Sequence, residues 1–219
     1  MNKIWQFGLL IWFFLVCLAA FLWAPLAEGL GDYTRILYFH VPVAWVTVLA
    51  FLVGAIYSVV YLKTQKIIYD QIAESAGQLG LLHCILATIT GSIWAKVSWG
   101  SFWNWDPRET SIFILLLIYA AYFALRSAID QEERKAALSS VYSIMAFVTV
   151  PFFVFIVPRI YASLHPDPIL NTRAVINMDR KMLITFLSSL AGFTVLFFWI
   201  FKRKVDLVRI KLDLKELES

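Results

Sequence analysis

Long apolar runs broken by short polar connections dominate the chain, and those of membrane length occupy residues 4–23, 40–62, 77–95, 107–125, 136–157 and 182–201. An α-helix rises about 1.5 Å per residue, so about twenty apolar residues cross the roughly 30 Å hydrocarbon layer of a bilayer. The pattern predicts an all-α, polytopic membrane protein: a six-helix transmembrane bundle with a tryptophan-rich outer loop. The first run ends in WAPLAEGLGD rather than at a small-residue cleavage site, which predicts a retained helix and not a signal peptide. The start of the fourth helix is specified locally. Asp106 is placed as N-cap, Pro107 as first helical residue and Glu109 to close a capping box.

The connections differ in kind. KTQKIIYDQIAES and RSAIDQEERK are mixed in charge and read as plain solvated links. The alternate connections, 24–39, 96–106 and 158–181, carry an aromatic cluster and, at their edges, two of the three histidines. Pro42 is expected in the first turn of the second helix, just after His40.

Composition sharpens this picture. Hydrophobic residues make up 61% of the chain and charged residues 16%, with a mean hydropathy of +0.75, more apolar surface than a soluble domain of this size can bury. The net charge of +4 does not point to nucleic acid, because basic residues in membrane proteins mark the cytoplasmic loops. With the N-terminus inside, twelve of the 19 Lys and Arg fall on the inner side and seven on the outer, which places both termini in the cytoplasm. Trp23, Trp45 and Trp94 then fall at the outer boundary, where indole rings concentrate. The expected organisation is a membrane domain over residues 1–201, with an outer loop at 96–110, and a charged cytoplasmic tail at 202–219. That tail can continue the last helix or lie along the membrane. Cys17 and Cys84 both lie in apolar runs and no CxxC or CxxCH occurs, so neither a redox dithiol nor covalent haem attachment is expected. No phosphate loop, nucleophile with its base or acid pair is present, so no enzyme activity is expected.

The stretch WGSFWNWD is the unusual feature. A helical loop would put Trp99, Phe102 and Trp103 on one face, and an extended one would align Trp99, Trp103 and Trp105. Either arrangement predicts an aromatic plate. The simpler reading is an interfacial anchor, but Trp94 and Lys96 already supply one, so a large flat ligand explains the extra rings better. His40 and His165 flank the plate on the same side. Neutral imidazoles are good axial ligands for haem iron, and Arg35, Arg108 and Arg159 are placed to meet its carboxylates. His83 lies deep in the third helix and reads as structural; it has no buried partner histidine, which disfavours an electron-transfer cytochrome with haem inside the bundle.

WGSFWNWDPRETS resembles the tryptophan-rich WWD signature of membrane haem-handling proteins in cytochrome c biogenesis, and YTRILYFHVPVAW resembles the stretch around the first outer histidine in the haem exporter protein C branch. Phe102 stands where a second tryptophan is common in that family. The resemblance implies a non-enzymatic subunit that binds haem b transiently as cargo at the outer, periplasmic face. It implies His40 and His165 as axial ligands, and a signature carried by Trp99, Gly100, Trp103, Trp105 and Asp106, with Phe102 completing the plate and Arg35 and Arg108 beside it. Its implied partners are a membrane-anchored haem chaperone (protein E), the ATPase and membrane subunits of an ABC transporter (proteins A and B) and a small helper (protein D), in the cell inner membrane. Two readings compete: a permease moving haem or another solute, and a structural subunit whose aromatic loop docks a partner.

Overall fold

A computed structural model describes residues 3–165 and 178–218. Helix α1 (Lys3–Leu18) ends in a wide π-helical turn, Ala19–Trp23. A 3-10 turn, Gly31–Ile36, leads into α2 (Leu37–Thr64), and only Gln65 and Lys66 separate α2 from α3 (Ile67–Trp99). Then come α4 (Pro107–Ser127) and α5 (Glu132–Pro151), which runs through a π turn, Phe152–Ile156, into the one-turn α6 (Val157–Ile160). The last helix, α7, spans Arg180–Glu218. Six of these continuous segments are long and apolar enough to cross a membrane, so the chain is a multi-pass membrane protein. The tail is a straight continuation of α7, one of the two arrangements that its sequence allowed.

Helix α2 is the hub. Its Val46, Ala50 and Val53 pack with Ile72, Ala76 and Leu79 of α3 and Phe197 and Phe201 of α7. On another face, Phe51 joins Cys84 of α3, Leu115 and Tyr119 of α4 and Ala146 and Val150 of α5. Lipid tails are as apolar as these side chains, so close packing rather than water exclusion holds such helices together. Small residues make that possible. A Cβ at Gly54 would stand 3.4 Å from the Ala73 carbonyl, and one at Gly80 would stand 2.4 Å from the Phe51 ring. Helix α1 is held mainly by α7, through the Trp12 indole N–H on the Ser188 carbonyl (3.0 Å) and the edge of Phe13 on Phe193.

Two expectations are corrected here. The third span begins ten residues before position 77, because Ile68 and Ile72 pack against α7 and the nearby Asp70 and Glu74 are paired with Arg126. The first inner connection is therefore not a plain solvated link. Arg126 of α4 makes a two-pronged ion pair with Asp70 (2.7 and 2.9 Å) and a third bond to Glu74 (2.8 Å), with Arg126 and Asp70 both buried. A planar guanidinium suits this double bond, and the pairing lets a charged stripe enter the bundle.

The second correction concerns Pro42, which sits inside α2 rather than in its first turn. Proline has no N–H, so the Tyr38 carbonyl four residues earlier loses its helical partner. The Ser189 hydroxyl of α7 donates to that carbonyl instead. The end of α2 that carries His40 is thereby tied to α7.

Candidate haem-binding site

The far end of α3 backs the whole site. Gly100 ends the helix in the left-handed conformation (φ +84°), donating its N–H to the Lys96 carbonyl, and the Lys96 ammonium returns to the Gly100 carbonyl at 2.9 Å. The chain then crosses to α4 through an irregular loop whose exit is the predicted capping box, with Asp106 and Glu109 as partners. Glu109 Oε2 also accepts from the Asn104 N–H (2.8 Å), so the capping glutamate shapes the aromatic loop as well as the helix. Trp105 lies at φ +57°, a region that a bulky residue enters at a cost of about 1–3 kcal/mol.

Asp106 does more than cap a helix. Its carboxylate accepts from the Arg108 N–H, the Leu164 N–H (2.7 Å), the Ser163 hydroxyl and His165 Nδ1 (3.0 Å). Its side chain is 1% exposed. Burial pushes the carboxyl's pKa up, but these backbone donors, the imidazole and the hydroxyl outweigh it and hold the group below the ordinary aspartate value. A carboxylate can only accept, so His165 Nδ1 carries a proton, and Nε2 is the nitrogen that would meet a metal. The His165 ring rests against two indoles, Trp99 at 4.8 Å and Trp94 at 5.3 Å between centroids.

His40 reaches the same helix one turn away. Its Nδ1 lies 2.9 Å from Thr90 Oγ1, and its ring lies over Gly91, where an added Cβ would stand 3.0 Å from Cε1. Thr90 and Trp94 are four residues apart and share a face of α3, so one helix seats both imidazoles about 6 Å apart along its axis. Two histidines, each held at Nδ1 and one of them packed against indoles, form a donor set that, with the rings neutral, suits a metal carried in a flat organic frame.

A family model described as heme exporter protein C matches residues 2–217. The chain belongs to the heme exporter protein C family. A heme exporter protein C from Bradyrhizobium diazoefficiens is 32% identical over 167 residues, covering 76% of this chain and 63% of that protein. One from Rhodobacter capsulatus is 30% identical over 183 residues, covering 81% and 73%. A putative cytochrome c biosynthesis ccmC-like mitochondrial protein of Arabidopsis thaliana is 32% identical over 188 residues, covering 84% and 70%. The chain thus spans just under two thirds of the Bradyrhizobium protein's length.

The expected residues sort into three groups in this family member. Trp99, Asp106 and His165 meet directly, and His40 joins them through α3. A single aromatic plate does not form, because Gly100 turns the chain between Trp99 and the later rings. Trp99 faces inward to His165, whereas Trp103 meets Trp105 edge to face (5.8 Å) and also Phe113. Phe102 and Trp105 stand 59% and 71% exposed on the surface, with the Lys96 ammonium over the Phe102 ring.

The arginines differ in their engagements. Arg35 bonds the Ala20 and Phe21 carbonyls and Asp32, closing the end of α1, and Arg159 bonds the Phe155 carbonyl. The Arg108 N–H belongs to the Asp106 cap. His83 bonds the Leu79 carbonyl of its own helix at 2.8 Å, in keeping with a structural role.

Nothing in the sequence marks Thr90, Gly91 or Ser163 individually, and Trp94 reads from sequence as an anchor, whereas here it also backs His165. The four-residue spacing of Thr90 and Trp94 is the one signal that pointed to a shared face. Residues 166–177, in the connection before α7, lie outside the described residues.

Proposed function

We propose that this chain binds haem b transiently at its outer face and passes it to a membrane-anchored haem chaperone during cytochrome c maturation. The observation that carries the reading is a pair of imidazoles seated on one end of α3, each anchored at Nδ1, with His165 packed against Trp94 and Trp99. His40 and His165 would hold the iron of haem, and bound haem would supply an iron that takes imidazole nitrogen. The chain's own residues do the rest: Trp94 and Trp99 fix the His165 ring, Gly100 and Glu109 shape the aromatic loop, and Asp106 ties that loop to the histidine loop. Phe102 and Trp105 offer exposed aromatic surface from outside, and Lys96 and Arg108, on either side of the aromatic loop, are the cations for the propionates, with Arg35 a further candidate once released from Asp32.

The chain would sit in the cell inner membrane with both termini cytoplasmic and the histidine end facing the periplasm. It would act without catalysing a reaction, beside the ATPase and membrane subunits of an ABC transporter (proteins A and B), a small protein D and the chaperone, protein E. The test is a haem titration of the detergent-purified chain, followed by an uptake assay in liposomes. The expected result is saturable binding that Trp103→Ala weakens, with haem remaining outside the vesicle. No saturable binding would overturn the reading, and accumulation inside the vesicle would replace it with a permease.

A further inference from the structure

Protons decide which nitrogen of His40 can reach a metal, and the contacts of Thr90 favour one arrangement of them. Thr90 Oγ1 makes two short contacts, 2.7 Å to the Leu86 carbonyl and 2.9 Å to His40 Nδ1. The carbonyl has no hydrogen to give, so the single hydroxyl proton lies between Thr90 and Leu86. The remaining contact then needs a proton from the other side, and only His40 Nδ1–H can supply it. Nε2 is left with its lone pair. Gly91 adds a second constraint: its missing side chain leaves the space that the Cε1 edge of the His40 ring occupies against α3.

We propose that Thr90 is a positioning residue that holds His40 in its metal-binding tautomer, with Gly91 setting the ring's height on α3. It never touches the cargo and acts through His40. The same reasoning separates the two ligands. His165 is backed by a buried carboxylate, which makes its imidazole the more electron-rich donor, whereas His40 is backed by a neutral hydroxyl that has already spent its proton on Leu86. His40 is therefore the weaker ligand and the one that yields when haem is handed on.

This inference rests on the haem reading, and the test keeps the two apart. The haem-loaded chain is compared with Thr90→Val, Thr90→Ser, Gly91→Ala and His40→Ala by haem affinity, reduction potential and the rate at which added imidazole displaces a protein ligand. Valine keeps the volume of threonine and loses the hydroxyl, so it should weaken affinity by about 10–100-fold, the usual effect of removing such a partner. It should also shift the potential and speed imidazole exchange, while serine restores all three. Gly91→Ala should perturb the same readouts without touching the hydroxyl, and so serves if the valine variant fails to fold. Wild-type values in both Thr90→Val and Gly91→Ala, with His40→Ala still losing affinity, would overturn the proposal alone. Wild-type values in His40→Ala as well would overturn the ligand assignment on which it rests.

Discussion

Replacing Asp106 with asparagine changes almost no volume but leaves one acceptor atom where there were two. In the native carboxylate, Oδ1 takes His165 Nδ1 (3.0 Å) and the Arg108 N–H (2.9 Å), while Oδ2 takes the Leu164 N–H (2.7 Å). Whichever way the amide turns, its NH2 group faces a donor on one side. A hydrogen bond to a charged group contributes about 1.5–3 kcal/mol, and 1.4 kcal/mol is a factor of ten in an equilibrium. Losing one such bond should therefore weaken haem binding roughly 10–100-fold, which agrees with the effect generally seen when a partner behind a metal-binding histidine is removed. The assay is a titration of haem into detergent-purified Asp106→Asn protein, followed by absorbance, with helical content checked by circular dichroism. An affinity within about twofold of wild type in a folded variant would refute the idea that Asp106 holds His165 in place.

Three further outcomes are expected. Arg126→Met should lower stability by about 3–5 kcal/mol, because it strands the buried Asp70 charge, and neutralising Asp70 and Glu74 as well should recover most of the loss; an unchanged melting midpoint in detergent would contradict this. Ser189→Ala should cost about 1–3 kcal/mol by stranding the Tyr38 carbonyl, and should cost clearly less in a Pro42→Ala background that restores the helical bond; equal costs in both backgrounds would show that the serine acts otherwise. Because the folded Asp106 pKa is depressed, its stabilisation is complete above the unfolded value and is lost as pH falls through the folded one. Tryptophan emission from the haem-free protein should therefore show a step below about pH 4 that Asp106→Asn lacks; the same step in the variant would contradict this.

How much could be read from the chain alone depended on how local each signal was. The six spans follow from run length, and the capping box at Asp106, Pro107 and Glu109 follows from neighbouring residues whose spacing is fixed by the helix itself. What escaped was long-range. Asp106 meets His165 across 59 positions, and Arg126 meets Asp70 across 56. Nothing beside Asp70 distinguishes a carboxylate paired inside the bundle from one in a solvated loop, and for that reason the third helix was drawn too short. The aromatic plate failed for a different reason. Periodicity assumes one regular conformation through the segment, whereas Gly100 and Trp105 both adopt left-handed backbone and turn the rings in separate directions.

The central claim is that two histidines from distant parts of the chain bind one iron. Electron paramagnetic resonance of the ferric, haem-loaded protein addresses it directly. The account predicts a low-spin signal with two imidazole ligands in the wild type, converted to a high-spin signal in His40→Ala and again in His165→Ala. A wild-type signal that is already high-spin, or one that persists unchanged in either variant, would contradict it.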